Sequence, residues 1–165
     1  MSASVRELVV RPVADKDSVD LIVLIDTVFG EYPNCILDVD NEMPELRSPA
    51  SAAKAEDAHW WVVEAGGKVV GSCAVMPEGD GTMELKRLYI ARQARRRGLA
   101  AHLVSLAETE ARARGARRME LWTDTRFADA HRLYERLGYT RAPRTRALCD
   151  VSNSIEFHFS KDLTP

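Results

Sequence analysis

The chain has 165 residues, 45% of them apolar and 29% charged, with a formal net charge of −2. Residues 1–165 are enough for a single domain with a sizeable core, and the composition excludes a disordered chain or a membrane span. The charge is divided: residues 1–80 hold 15 acids and 6 bases, residues 81–165 hold 10 acids and 17 bases, and 18 of the 23 bases are arginine.

In chain order, Glu7–Val13 alternates as an edge strand. Asp15 or Asp17 is placed to cap a helix carrying Val19, Ile22, Val23, Ile25, Val28 and Phe29, with Gly30 at its end. Residues 31–57 contain Pro33, Pro44 and Pro49 without periodicity, and read as a loop with room for one short helix. His59–Ala65 and Lys68–Met76 are strands joined by a Gly66-Gly67 hairpin turn. Pro77–Gly81 is a second turn, and Thr82–Ala91 is the next strand. A long amphipathic helix starts near Gly98. Leu99, Ala100, Leu103, Val104, Leu106, Ala107 and Ala111 share one face, and Gly115 takes the C′ position. Arg118–Thr123 is a short strand. Asp124 or Thr125 can cap a helix with Phe127, Ala130, Leu133, Tyr134 and Leu137 on one side, ending at Gly138. Ser154–Lys161 alternates as a half-buried strand. The predicted fold is α+β in three layers, a mostly antiparallel sheet with a parallel β-α-β centre and helices on both faces.

Cys35, Cys73 and Cys149 are far apart, odd in number and outside any C-x-x-C. That excludes a disulfide framework and a cysteine zinc cluster, and fits a reducing cytoplasm. The start, MSASVRELVV, lacks the basic and apolar regions of a secretory signal. The four histidines show no metal spacing, so no metal is expected. Ser72 lies outside a G-x-S-x-G elbow, against a serine hydrolase.

The chemistry concentrates between Thr82 and Gly115. A strand, MELKRLYIA, enters a turn, RQARRRGLA, that opens directly into a helix. A helix N-terminus presents unpaired N–H groups and a positive dipole end, which bind anions. Gly98 lets a ligand approach the backbone, Ala100 is small, and Arg95, Arg96 and Arg97 add positive charge. The turn therefore reads as a phosphate site. It is neither a Walker loop nor a G-x-G-x-x-G dinucleotide fingerprint. An arginine-rich nucleic-acid binder is the rival, and the pI near 6.1 weighs against it.

Arg95-Arg96-Arg97-Gly98-Leu99-Ala100 resembles the Gln/Arg-x-x-Gly-x-Gly/Ala signature of the GNAT superfamily of N-acetyltransferases. The context agrees: L-Y-I-A precedes it at 88–91, and LWTDTRFADAHRLYERLGY at 121–139 resembles the family's second block. The resemblance implies the acyl-CoA N-acyltransferase fold, a splayed sheet holding acetyl-CoA as cosubstrate in the gap. It places the pyrophosphate on backbone N–H groups of the turn, Arg96 to Ala100 with Arg95 and Leu99 in the same motif. It pairs the pantetheine arm with Leu88, Tyr89 and Ile90. Glu84 stands where a strand carboxylate serves as base in the histone-acetylating branch; the plainer reading pairs it with Lys86 or Arg87 on the surface. Tyr134 matches the tyrosine that protonates the leaving thiolate, against a purely core role. Two departures are Phe127, where many relatives have Asn, and Arg96, where many have Gly.

The expected activity is acetyl transfer from acetyl-CoA to a primary amine by direct attack in a ternary complex, with a non-catalytic acyl-CoA-binding sensor as alternative. The expected partner is a small-molecule or peptide amine, with no nucleic acid and no membrane, and a homodimer left open. Glu31, Asp38, Asp40, Glu42 and Glu45 fall in the irregular segment and are candidates to attract a cationic amine. His131, one turn before Tyr134, is weighed as a proton relay.

Overall fold

The structure, a computed structural model, describes residues 7–164. Seven strands form its sheet: β1 Leu8–Pro12, β2 His59–Ala65, β3 Lys68–Gly79, β4 Thr82–Ile90, β5 Arg118–Asp124, β6 Thr140–Ala147 and β7 Ile155–Asp162. Their order across the sheet is β1-β2-β3-β4-β5-β7-β6. Neighbours run antiparallel except β4 and β5, which are parallel. β2 and β3 are covered on both faces, which is why both read as near-continuous apolar runs: Val62, Val63, Cys73 and Val75 are fully buried.

Helices lie on both faces. α1 (Ser18–Phe29) packs on β3 and β4, and α4 (Leu99–Ala113) packs on β2, β3 and β4. The face α1 buries is Leu21, Leu24, Ile25, Val28 and Phe29, whereas Val19 and Val23 of the expected set point outward. α4 buries Leu99, Leu103, Val104, Ala107 and Ala111 of the stripe its spacing predicts, with Ala100 and Leu106 half-buried at its margin. Gly115 follows at φ 80, a conformation that favours glycine after a helix end. The stripe also buries Glu108, which Tyr139 Oη and Lys161 Nζ satisfy at 3.0 and 2.9 Å. Those contacts fasten the end of β7 to α4. Among the described residues no helix is long and apolar enough to cross a membrane.

Three local expectations are corrected. Residues 31–57 hold more helix than a loop: α2 (Val39–Glu42), a 3-10 turn (Pro44–Arg47) and α3 (Pro49–Ala55). Pro44 and Pro49 stand in the first turn of the latter two, where a missing N–H costs nothing. β3 runs through Pro77 to Gly79, so the turn before β4 shrinks to Asp80-Gly81. The last helix, α5 (Ala128–Arg136), begins after Phe127, and Asp124 instead accepts the Arg126 N–H at 2.9 Å.

Candidate active site

The parallel pairing of β4 and β5 covers only Thr82–Arg118, Met83–Met119 and Glu84–Glu120. Beyond Glu84 the strands part. β4 carries one extra residue there, because Ala74 of β3 pairs with Lys86 but Ser72 pairs with Tyr89. Such a bulge bends its strand. Arg87 lies within it at φ 56, a left-handed conformation that costs an arginine about 1 kcal/mol. Glu45 holds it there by an ion pair, with Nε donating to Oε1 at 2.8 Å.

The fork opens into a cavity of about 350 Å³. Glu84, Leu88 and Tyr89 line it from β4, Trp122 and Asp124 from β5, and Phe127 and Tyr134 from the start and face of α5. Glu42 and Met43 close one wall, with Leu148, Asp150, Arg146 and Glu156 beside them.

Glu84 is not a surface carboxylate; it is only 9% exposed. Burial, reinforced by the neighbouring Glu78 carboxyl and opposed by Lys86 and Arg146, pushes its carboxyl up to about 7. Arg87, its other expected partner, is committed to Glu45. Tyr134 is a buried core residue that also borders the cavity. Its ring packs on Phe159 and Tyr139, at centroid distances of 5.7 and 5.9 Å, and the residue also lines the cavity. Burial pushes its phenol well above the usual range, so it is fully protonated at neutral pH. His131 does not join them: it is absent from the cavity wall, its Nε2 lies 2.9 Å from the Asp124 carbonyl, and burial lowers its pKa.

At the open end of β4, a 3-10 turn (Arg92–Ala94) leads through Arg95, Arg96 and Arg97 to Gly98. α4 then starts with no side-chain cap, so its first N–H groups stay available. Gly98 has φ 72, and a Cβ built on it meets nothing within 4 Å. Arg96, at φ 63, and Arg97 are exposed. Leu99 turns its side chain into the core and Ala100 is half-buried, so both offer the turn their backbone. Arg95 departs from the expected phosphate cluster. Its Nη1 and Nη2 donate to the two Glu31 carboxylate oxygens at 2.8 and 2.5 Å, and its Nε donates to the Ile90 carbonyl at 2.9 Å. The Ile90 carbonyl is therefore already engaged.

The acids of the irregular segment also sort themselves. Glu31 and Glu45 are ion-paired to Arg95 and Arg87. Asp40 pairs with Arg47 at 3.0 Å, and Asp38 accepts from the Asn41 amide side chain at 2.8 Å. Of the five, Glu42 alone lines the cavity. Burial raises its carboxyl pKa, although the Val151 N–H donates to it at 3.2 Å. Sequence spacing gives no signal for Glu42 over its neighbours, nor for Arg87, Trp122, Arg146 or Asp150.

Residues 26–139 match the Acetyltransferase (GNAT) family. The chain belongs to that family. This GNAT chain is 38% identical over 84 residues to YjgM of Escherichia coli K12, named as an uncharacterized N-acetyltransferase, over 48% of this chain and 50% of that protein. The matched stretch thus spans about half that relative's length. A GNAT-family acetyltransferase of Staphylococcus aureus Mu50 superposes with a TM-score of 0.81 at 15% identity, covering 96% of this chain and all of that one. YncA of Salmonella typhimurium, solved with acetyl-CoA, gives 0.71 at 19% identity, over 96% of this chain and 95% of its own. The PaiA N-acetyltransferase of Thermoplasma acidophilum, solved with coenzyme A, gives 0.75 at 14%, over 94% and 99%. At these identities the likeness is one of fold, the splayed acyl-CoA N-acyltransferase sheet.

Proposed function

We propose that this GNAT protein transfers an acetyl group from acetyl-CoA to an amine, which attacks directly within a ternary complex. The observation that carries the reading is the fork between β4 and β5, which brings a poised carboxyl, Glu84, and a protonated phenol, Tyr134, to one cavity. The solved relatives with acetyl-CoA and coenzyme A support the choice of donor.

The chain's groups suit that donor. The uncapped N–H groups of the first α4 turn, from Gly98 through Ala100, are a receptor for a diphosphate, with Arg96 and Arg97 adding charge beside them. The β4 edge at Leu88 and Tyr89 has no strand on its β5 side, which suits an extended amide-bearing arm. Acetyl-CoA, when bound, supplies the activated acetyl group and a thiolate leaving group. Glu84 takes a proton from the acceptor ammonium or its amine, directly or through water; a carboxyl near 7 is matched to that task. Tyr134 supplies a proton to the departing sulfur.

The test is release of free thiol from acetyl-CoA across a panel of amines. Tyr134→Phe keeps the ring and its packing, so coenzyme A affinity should hold while turnover falls by about 10²–10⁴. Turnover within twofold of the parent would reduce Tyr134 to a core aromatic. Coenzyme A binding without thiol release for any amine would leave a protein that holds acyl-CoA without turning it over.

A further inference from the structure

Arg95 stands first in the anion-binding turn, yet its guanidinium faces the protein. Nη1 and Nη2 grip both oxygens of Glu31, and Nε grips the last carbonyl of β4, at Ile90. A bidentate carboxylate offsets the guanidinium charge and fixes its plane. Arg92 adds a weaker contact, with Nε 3.4 Å from Glu31 Oε1. The Glu31 carboxylate is mounted on a firm base. It follows the end of α1, where the Phe29 ring lies 5.9 Å from Tyr89 and the Tyr32 ring 4.8 Å from Phe127. The pair therefore ties the end of α1 to the point where β4 becomes the turn.

What comes next in the chain needs such a tie. Arg96 holds φ 63 with no glycine to ease it, and it is exposed, so its own side chain does not hold it there. A strained residue persists only where its surroundings fix the backbone around it. Arg97 and Gly98 are exposed as well. On the side of the turn that precedes α4, buried Ala94 and the hydrogen bonds of the 3-10 turn fix the backbone as far as Arg95, and the Glu31–Arg95 pair carries that anchorage to α1.

We propose that Glu31 and Arg95 are positioning residues: together they clamp the 95–100 turn in the shape that receives the coenzyme A diphosphate, and Arg95 does not itself bind the phosphates. This rests on the acetyl-CoA reading above. The positive charge left for the ligand is then that of Arg96 and Arg97.

The clamp and a direct phosphate contact predict opposite signs. Coenzyme A affinity is measured by calorimetry on the full chain and on E31Q, R95K and the double variant. With a clamp, E31Q weakens binding by about tenfold, the share owed to a charge-assisted bidentate pair. R95K weakens it similarly, because lysine keeps the charge but loses the fork and the Ile90 contact. The double variant is then no worse than the weaker single one. The KM for acetyl-CoA rises while kcat at saturation stays within about twofold of the parent. With direct contact, E31Q frees the guanidinium and tightens binding, and R95K keeps most of the affinity; either result overturns the clamp. Thermal melting separates a merely structural role: a lowered Tm with unchanged coenzyme A affinity in E31Q also overturns it. Failure of the underlying reading looks different, since the parent chain itself then binds no coenzyme A and both proposals fall.

Discussion

At the scale of single residues, Glu84 shows how burial shifts a carboxyl toward neutral pH. The same carboxylate on a surface strand would be fully ionised at neutral pH and a weak base. Within the fork its pKa rises from 4.5 to about 7. The sign of the consequence for stability follows. The folded state holds the proton more tightly than the unfolded state between those values, so stability is full below about pH 4.5 and falls as pH rises through 7. The loss amounts to at most about 3 kcal/mol. Glu84→Gln should remove that dependence, melting higher than the parent at pH 8 but not at pH 4. The same variant should lose about 10²–10⁴ in kcat/KM, along with the limb of the pH profile that rises near 7 in the parent. A variant whose profile still rises there would assign the base elsewhere. The residue type and its place on the strand were legible in the sequence. Its burial was not, because the neighbouring Lys86 and Arg87 look like surface partners until Arg87 is seen to bond Glu45, 42 positions away. Arg95 misled for the same reason, since its partner Glu31 is 64 positions distant.

At the scale of elements, the legible parts are those whose periodicity answers to burial. α4 shows a helical stripe because one face meets the sheet, and β2 and β3 show apolar runs because both faces are covered. β6 was not singled out. It is an edge strand, exposed along nearly all its length, with Arg141, Arg144 and Arg146 and a central Pro143, so no alternation marks it. The pieces α2 and α3 are four and seven residues long, too short for a helical period to appear. The junction of β4 and α4 was legible because its signal is stereochemical. Gly98, at φ 72, offers bare backbone beside an uncapped helix end. On the proposed reading, Gly98→Glu should therefore abolish coenzyme A binding by placing a carboxylate among the N–H groups assigned to the diphosphate. The fold should survive, because no atom lies within 4 Å of the new Cβ and the positive φ costs only about 1 kcal/mol. Unchanged affinity by calorimetry in a folded variant would move the site away from this turn.

At the scale of the whole molecule, the division between an acidic first half and a basic second half is spent in part inside the chain. Glu31 meets Arg95, Glu45 meets Arg87 and Asp57 meets Arg114, so the layer formed by α1 to α3 is charge-complementary to the half it packs on. Arg87, Arg95 and Arg114 are therefore engaged within the chain and do not count toward a polyanionic partner. The same pairing revises how a cationic amine would be attracted. Asp38 is half-buried and hydrogen-bonded to Asn41, Asp40 is exposed and paired with Arg47, and neither lines the cavity. Glu42 lines it without a cationic partner among the described residues, and burial, with Asp150 and Asp38 nearby, raises its pKa. On the proposed reading, a cationic acceptor entering the cavity would relieve that imbalance before yielding a proton at Glu84. Glu42→Gln should raise the KM for a cationic amine several-fold, the effect of about 1 kcal/mol, and leave the KM for acetyl-CoA unchanged. It should also flatten the rise of the amine KM with salt, since part of the attraction being screened is gone. The paired change Asp38→Asn with Asp40→Asn should do neither. Equal effects from the two variants would mean that the amine responds to the general field of the acidic segment, and that no single carboxylate in the cavity wall selects it.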